Sequence, residues 1–418
     1  MSFITEKILE EGVDYDSVLI LPMYSKTKYE DVDISARFSR SFCMQLPFVL
    51  EVNNFQNIHL TEIIAQQGGV GVLGSNLDLK TRVEYIKSLK KNKGLYSGKF
   101  FCVNEDTEVE HVIKLISKLP GSRIVVLGED GKFQYVVEGV SALSLNEYRV
   151  LKVGGLPDKY KQGVNVVKLS SKIEIFKLAF GEYKSAVVIE PETGEVEGYT
   201  SCSILDEYEK YPLANRCEDG SLMIVSKVAS TENIDEEVGV LNEAGVDAVI
   251  IEYEHPHSKW VLEEIKHLKL DFPKLEILIE NITSSAGATD HLLAGVDGVV
   301  VGQRTKDANR KIGVGVPLPT AIYNVYKAIK HSDISLLLSG GLKNEGNMVK
   351  SLATGVDALW LNNLIDNADK CEEEVLIKHI ERLAVFVRKG VCYSGNDNLK
   401  SFKQSKFMLN TTTLLSKS

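Results

Sequence analysis

Several features that would place a protein outside the soluble globular class are missing from this 418-residue sequence. No apolar run approaches the roughly 20 residues that a membrane helix needs. The opening residues, MSFITEKILEEGVDYDS, contain early acids and lack the apolar core of a secretory leader. Long blocks of like charge are also missing, which argues against a nucleic-acid-binding tail and a polybasic membrane patch. We therefore expect a cytoplasmic protein with neither nucleic acid nor a membrane as partner.

Cysteine is scarce as well. The six cysteines are scattered and form no C-x-x-C pair, which argues against a disulfide framework and a zinc site. What is present is ordinary for a folded chain: 44% hydrophobic residues, 25% charged residues and a net charge of −10. At about 100–200 residues per domain, the length predicts two or three domains.

A repeated unit, a helix that stops at a small residue and Gly-Val-Asp before a short apolar strand, is the strongest pattern. It occurs at 244–247 before AVIIEY, at 294–297 before GVVVGQ and at 354–357 before ALWLNN. Apolar runs at 275–279 and 334–338, and at 46–52 and 68–73 near the start, fit further strands. Continuous Val, Ile and Leu runs are typical of strands covered on both faces. Alternating strands and helices predict either an open doubly wound sheet or a closed eight-fold barrel.

The middle of the chain follows a different pattern. It contains two similar strand–helix–strand–strand blocks, each with an acidic turn before glycine, at 129–131 and at 192–194, which is a hairpin signal. The simplest interpretation is a discontinuous barrel domain, residues 1–94 and 216–418, interrupted by a pair of inserted repeats at 95–215.

The order of several segments carries a family resemblance. These are VDYDSVLILP (13–22), AQQGGVGVL (65–73), YPLANRCEDGSL (211–222), EHPHSKWVLEEIK (254–266), GVGVPLPTAI (313–322), LSGGLKNEGNMVKSLATGVDALWL (338–361) and VRKGVCYSGNDNLKSF (387–402). In this order they resemble the IMP dehydrogenase and GMP reductase family over nearly the whole chain. The resemblance implies a (β/α)8 TIM barrel interrupted by a tandem CBS (Bateman) module, with tetramers or octamers as the assembly.

The family's reaction needs a thiolate that attacks the purine, and in the dehydrogenase the hydride passes to NAD. The family carries this cysteine in a glycine-rich loop shortly before GVGVP. Here the connection at 302–312 contains no cysteine and no serine, and Cys371 is the thiol nearest to another mouth loop. The family's mobile flap has no room between Asn363 and the final helix predicted at 372–387. We therefore expect no catalytic residue and no cofactor, with NAD only if the chain is an active enzyme.

The phosphate and ribose positions that the resemblance implies are altered too. Gly340 and Gly341 remain, but Asn362 and Asn363 replace small residues, which favours a tight turn over a vestigial phosphate site. Ser339 stands where the family has an aspartate that holds the ribose diol. On the cofactor or ribose side the matching residues are Glu252, Asn281 and Ser339, and Tyr253 and Glu254 replace small residues against which a nicotinamide would pack.

Four acids, Glu51, Glu252, Glu254 and Glu280, are expected to line one barrel mouth. Such a set repels phosphate and could be interpreted as a Mg²⁺ or Ca²⁺ site. We favour the interpretation that some of these acids turn outward or pair with basic residues of the shortened loop, Arg304, Lys306 and Arg310, and expect no metal. His255 and His257 are interpreted as loop histidines rather than zinc ligands.

These losses at the mouth, beside intact strands and glycine caps, favour a catalytically inactive relative of IMP dehydrogenase. It would act by scaffolding or regulation, as a homo-oligomer or joined to an active IMP dehydrogenase. The alternatives are an active IMP dehydrogenase-type oxidoreductase using another cysteine, or altered chemistry at the acidic mouth. Because Ile204 stands where such modules carry a ribose-binding aspartate, the CBS module is predicted to be structural; the alternative is a sensor of adenine or guanine nucleotide.

Overall fold

The computed structural model describes residues 12–118, 122–137, 142–170, 173–178, 185–230, 233–302, 312–362, 364 and 372–409. The chain divides into two compact units. One contains Met1–Ile86, Leu213–Asn215 and Met223–Ser418, and the other contains Lys87–Pro212 and Arg216–Leu222. The division predicted from the sequence placed its boundaries after residues 94 and 215.

The described helices and strands follow one another along the chain in three groups. Before and at the start of the second unit they are β1 (Val18–Ile20), β2 (Ala36–Arg37), β3 (Cys43–Met44), β4 (Phe48–Val52), α1 (Leu60–Gln66), β5 (Val70–Leu73) and α2 (Leu79–Lys90). Within the second unit they are β6 (Phe100–Asn104), α3 (Val109–Lys118), β7 (Arg123–Leu127), β8 (Phe133–Val137), α4 (Ala142–Leu145), β9 (Lys161–Gln162), β10 (Asn165–Lys168), α5 (Ile173–Leu178), β11 (Ser185–Ile189), β12 (Val196–Ser201) and α6 (Cys202–Lys210).

The third group completes the first unit. It comprises β13 (Ile224–Ala229), α7 (Ile234–Ala244), β14 (Ala248–Glu252), α8 (Lys259–Asp271), β15 (Glu276–Glu280), α9 (Ser285–Ala294), β16 (Gly298–Gly302), α10 (Leu318–Ile329), β17 (Ser335–Ser339), α11 (Glu345–Thr354), β18 (Ala358–Trp360), α12 (Glu373–Tyr393), α13 (Leu399–Phe402) and β19 (Phe407–Leu409). Among the described helices, none is long and apolar enough to cross a membrane.

Eight strands of the first unit close into a barrel in the order β13-β14-β15-β16-β17-β18-β4-β5. Every neighbouring pair is parallel, from β13 with β14 around to β5 with β13. The continuous apolar runs are buried along almost their whole length, for example at Val299–Val301 in β16. Of the two architectures that the pattern allowed, the closed (β/α)8 barrel is the one that forms, so the predicted fold class is confirmed.

The repeated Gly-Val-Asp unit closes the amino ends of the barrel strands. Each of its aspartates lies just before a strand and forms two hydrogen bonds to one residue of the preceding strand, through its backbone N–H and its carboxylate. The pairs are Asp247 with Ile224, Asp297 with Ile277 and Asp357 with Leu336, with carboxylate distances of 2.7, 2.9 and 2.9 Å. The repeat therefore fixes the register of adjacent strands at the end of the barrel opposite the expected site.

The glycine of this unit ends the preceding helix with a positive φ in all three copies. Gly245 ends α7 with φ of 92°, whereas Gly239 lies inside the same helix, where an added Cβ would make only ordinary contact with Phe272. We expect Gly245→Ala to lower the free energy of unfolding by about 1–2 kcal/mol. Gly239→Ala, the matched control, should raise it by up to about 1 kcal/mol. Urea unfolding of both variants checks this; equal effects would contradict the role of the cap.

The second unit contains two repeats of the predicted order. In each, the first strand pairs parallel with the second, and the second pairs antiparallel with the third, as β6-β7-β8 and β10-β11-β12. The predicted hairpin turns are confirmed, and Gly131 and Gly194 adopt φ of 75° and 76° there. One hydrophobic core joins the two sheets through Val125, Val187 and Tyr199. The identity of these repeats as a CBS module stays a prediction.

Candidate functional site

The carboxyl ends of the barrel strands bring three of the four predicted acids together. Glu252 and Glu280 are the last residues of β14 and β15, and Glu51 is the next-to-last residue of β4. All three approach the side chain of Lys227 on β13. In barrels of this type, active sites form at this end. We call these four residues the Lys227 cluster.

The Lys227 ammonium lies at the centre of the cluster. Its Nζ is 2.7 Å from Glu280 Oε2, 3.1 Å from Glu252 Oε2 and 3.5 Å from Glu51 Oε2. The Lys227 side chain is 8% exposed and that of Glu280 is 5% exposed. Because β15 and β4 are each two strands away from β13, on opposite sides, Lys227 reaches both only by pointing into the barrel.

The strand registers place three of these residues in one interior layer of the barrel. The partner of Lys227 on β14 is Ile250, whose partner on β15 is Leu278, two residues before Glu280. The same advance of two residues over two strands leads from Glu280 on β15 to Ser339 on β17. From Glu51 on β4, through β5, it leads back to Lys227 on β13. Barrel interiors are filled by such layers, each contributed by alternate strands and usually made of branched apolar side chains. Here the layer is Lys227, Glu280, Ser339 and Glu51, so a polar layer has replaced an apolar one.

Hydrogen bonds hold both the side chain and the backbone of Glu51. Its Oε1 accepts a hydrogen bond from Asn53 Nδ2 at 3.0 Å, and its Oε2 accepts one from Trp360 Nε1 at 3.2 Å. The Asn362 side chain bonds to both the backbone N–H and the backbone carbonyl of Glu51, at 3.1 and 2.7 Å. Asn362 therefore ties the end of β18 to β4, and its amide is already used in this way.

The burial of the cluster shifts the ionisation of its members. Burial lowers the pKa of Lys227, but the carboxylates of Glu280, Glu51 and Glu252 together outweigh this effect and raise its pKa above the ordinary value. Burial raises the pKa of the Glu280 carboxyl, and Lys227 and a hydrogen bond from Ser339 offset this only in part. The ammonium is therefore firmly protonated, and Glu280 takes up a proton more easily than an ordinary glutamate.

The acids contact a cation that was not among the predicted partners. Arg304, Lys306 and Arg310 lie outside the described residues, whereas the cation that contacts the acids is Lys227. Glu254 is exposed and forms no ion pair with Lys227, so its part in the acidic mouth stays a prediction. A signal for Lys227 was present in the sequence, since it is the one charged residue in the apolar strand IVSKVA.

Two further residues that the sequence analysis named, Tyr253 and Asn281, directly follow β14 and β15. Tyr253 is fully buried, and its hydroxyl donates to Glu264 Oε2 on α8 at 2.6 Å, so its ring packs under that helix. Asn281 adopts the left-handed conformation with φ of 70°, and its Nδ2 donates to the Tyr253 carbonyl at 2.8 Å. Both side chains stabilise the backbone that follows β14 and β15.

The glycine pair after β17 forms a sharp turn. Gly340 and Gly341 have φ of 78° and 75°, which favours glycine at both positions. A Cβ on Gly341 would lie 2.5 Å from Leu318 Cδ2. This geometry supports the tight-turn interpretation, while phosphate binding at these glycines stays a prediction. Asn363, the fourth residue assigned to that site, lies outside the described residues.

The histidine pair does not contribute to the Lys227 cluster. His257 Nε2 lies 2.9 Å from Asp290 Oδ2 on α9, and His255 is exposed. Within the described ranges, no group of three or more His, Cys, Asp and Glu side chains is arranged to hold a metal ion.

No described cysteine lies on β13, β14, β15 or β4, the four strands that carry the Lys227 cluster. Cys43 belongs to the β2–β3 hairpin, in which Arg40 contacts Asp297 at the opposite end of the barrel. Cys102, Cys202 and Cys217 belong to the second unit, and Cys392 on α12 donates to the Thr27 carbonyl. Cys371 lies outside the described residues.

Residues 12–386 match the model of the IMP dehydrogenase / GMP reductase domain family. Because the match covers most of the chain, the protein belongs to this family, and the family predicted from the sequence is confirmed. It is 28% identical over 389 residues to the inosine-5'-monophosphate dehydrogenase of Aquifex aeolicus, covering 89% of this chain and 76% of that protein. The corresponding enzyme of Staphylococcus saprophyticus is 25% identical over 370 residues, covering 87% and 75%.

Solved structures share the fold. The GMP reductase of Trypanosoma brucei in complex with guanosine 5'-triphosphate superimposes with a TM-score of 0.81, at 19% identity, over 98% of this chain and 100% of that one. A cysteine-to-alanine variant of the same reductase with guanosine 5'-monophosphate gives 0.78 at 18% identity, over 99% and 98%. At these identities the likeness concerns the fold alone.

Proposed function

We propose that this chain is a family member that does not carry out the family's oxidoreductase reaction and that acts by binding other subunits. The observation that carries this proposal is the Lys227 cluster, a buried set of ion pairs inside the carboxyl end of the barrel. A purine nucleotide bound there would place its phosphate near three carboxylates whose shared cation is already engaged. The sequence adds a second reason, because residues 302–312 contain no cysteine to attack the purine.

The residues at the end of β14 do not fit NAD, the cofactor that the family implies. Glu252, the candidate for a ribose hydroxyl, is paired with Lys227 at 3.1 Å. Tyr253 is turned under α8, and the exposed Glu254 adds a negative charge on the side of the dinucleotide pyrophosphate. We therefore assign no cofactor to this site.

A subunit without turnover can still assemble. We propose homo-oligomers, tetramers or octamers, or mixed oligomers with an active IMP dehydrogenase. The intact barrel and the two-repeat second unit support this role, since both are retained while the mouth has changed. In this proposal the second unit is a CBS module with a structural function.

The direct test measures NADH formation from IMP and NAD, and NADPH oxidation with GMP, beside an active IMP dehydrogenase as positive control. We expect rates equal to those of a blank without protein. Capture of the tagged chain from its own cells should recover an active family enzyme or further copies of the chain. Turnover, or covalent trapping of radiolabelled IMP on the chain, would contradict the proposal.

A second candidate function rests on Glu280, because a buried carboxyl with a raised pKa is a common feature of catalytic acids. In this case the mouth would carry out different chemistry, and Glu280→Gln would abolish it while Glu254→Gln, at the exposed acid, would not. A thermal-shift screen with purine nucleotides and NAD separates the two candidates. A ligand at 100 times its Kd stabilises a protein by about 2.7 kcal/mol, so no shift would favour the inactive relative.

A further inference from the structure

The three carboxylates around the Lys227 ammonium resemble a binding site for an ammonium group, and the group that fills it is a side chain of the same protein. An ammonium group carries three N–H donors. Around Lys227 Nζ there are three carboxylates, each from a different strand, at 2.7, 3.1 and 3.5 Å. One ammonium group is therefore surrounded by three carboxylates, which approach from different sides of the barrel.

We propose that Glu51, Glu252 and Glu280 form a cage for one primary ammonium group, which Lys227 occupies permanently and so excludes other ligands from this end of the barrel. The inference rests on the proposed function, because a working active site would need the same space. It is tested by ligand binding and stability rather than by turnover, so either can fail while the other stands.

The distances and the held carboxylates favour an ammonium over a metal ion. Carboxylate oxygens bind Mg²⁺ or Ca²⁺ at about 2.0–2.6 Å. Two of the three oxygens lie well beyond that range from Nζ. Glu51 cannot move inward freely because Asn53 and Trp360 hold its two oxygens.

The shape of the cage also disfavours a guanidinium. Arginine presents a planar fork of donors, whereas the three carboxylates surround a point. Lys227→Ala removes three methylene groups and the ammonium, which together correspond to n-propylammonium. The side chain is buried along with its charge, so its removal leaves an enclosed space with uncompensated carboxylates.

The experiment is chemical rescue of the full-length Lys227→Ala variant. We expect n-propylammonium to raise the Tm of this variant by several degrees in a saturable manner. Wild type and Lys259→Ala, which removes an exposed lysine, should not respond. Tetramethylammonium and sodium at the same ionic strength serve as controls, because neither can donate three hydrogen bonds. An equal response to these ions, or an equal response of wild type, would overturn the proposal, and stabilisation by Ca²⁺ alone would indicate a metal site instead.

A second pair of variants covers the case in which Lys227→Ala fails to fold. Lys227→Met keeps the volume of the side chain and removes its charge. If the cage is electrostatic, Glu280→Gln should lower the Tm of wild type but raise that of Lys227→Met, because it then removes an uncompensated buried carboxylate. A packing role for Lys227 predicts the same sign in both backgrounds, and that result would also overturn the proposal.

Discussion

Lys227→Met is expected to lower the free energy of unfolding by about 3–5 kcal/mol, because removing one partner of a buried ion pair leaves the other charges uncompensated. The lost cation faces Glu280, which is 5% exposed, and two further carboxylates. Methionine fills most of the same space, so a cavity contributes little to the effect. Urea unfolding at neutral pH measures the difference from wild type.

The pH dependence of this difference has a definite sign. Burial raises the pKa of Glu280, and removal of the ammonium should raise it further. A carboxyl with a raised folded pKa binds protons on folding, so its favourable contribution is complete below the unfolded value of about 4.3 and is lost as pH rises through the folded value. We therefore expect the cost of Lys227→Met to be smallest in acid and to grow as pH rises.

Lys259→Met is the control for this measurement, since the Lys259 side chain is 89% exposed and pairs only at 3.7 Å with Glu263. Its effect should stay below about 1 kcal/mol. An equally small loss of unfolding free energy for Lys227→Met would contradict the expectation that the three carboxylates destabilise the fold once their cation is removed. A loss that does not change between acid and neutral pH would contradict it as well.

Asp297→Ala is the second change with a large expected effect, again about 3–5 kcal/mol of unfolding free energy. The Asp297 carboxylate is 5% exposed and accepts hydrogen bonds from Arg40 Nε at 2.9 Å, Lys269 Nζ at 2.7 Å and the Ile277 N–H at 2.9 Å. Alanine would leave one buried backbone donor and two cations without this partner. The register between β15 and β16 would lose its clamp at the same time.

Asp333→Ala is the matched control, because Asp333 contacts the same Arg40 guanidinium but its side chain is 58% exposed. We expect this variant to lose less than about 1 kcal/mol. Thermal and urea unfolding of the two variants give the comparison. Similar losses for both would mean that the strand clamp of the Gly-Val-Asp unit contributes little to the barrel.

Much of the fold was predictable from local sequence. The run at Val299–Val301 is apolar at every position, and a strand covered on both faces buries both sets of side chains, so the run itself indicates a central parallel strand. Gly245 marks the end of a helix because only a residue tolerant of positive φ caps it well. The inserted repeats were recognisable because Gly131 and Gly194 must turn each hairpin.

The candidate site was predictable only in part. Motif positions identified Glu51, Glu252 and Glu280 as neighbours, because they end strands of one parallel barrel. The same reasoning placed Glu254 at that mouth, and Glu254 follows the strand and is exposed. It also assigned the partner cations to a loop, because loop lysines and arginines are the usual partners of such acids.

The sequence by itself determined that this chain alternates strands and helices around an inserted pair of repeats, that acids end several of its strands, and that residues 302–312 contain no cysteine. Only the tertiary structure decided that Lys227 is the cation of that mouth. In a strand that is buried on both faces, alternation does not distinguish the interior of the barrel from the helix layer. Closure of the barrel, with its register advancing two residues at every second strand, turns Lys227 inward and brings Glu280 and Glu51 around it.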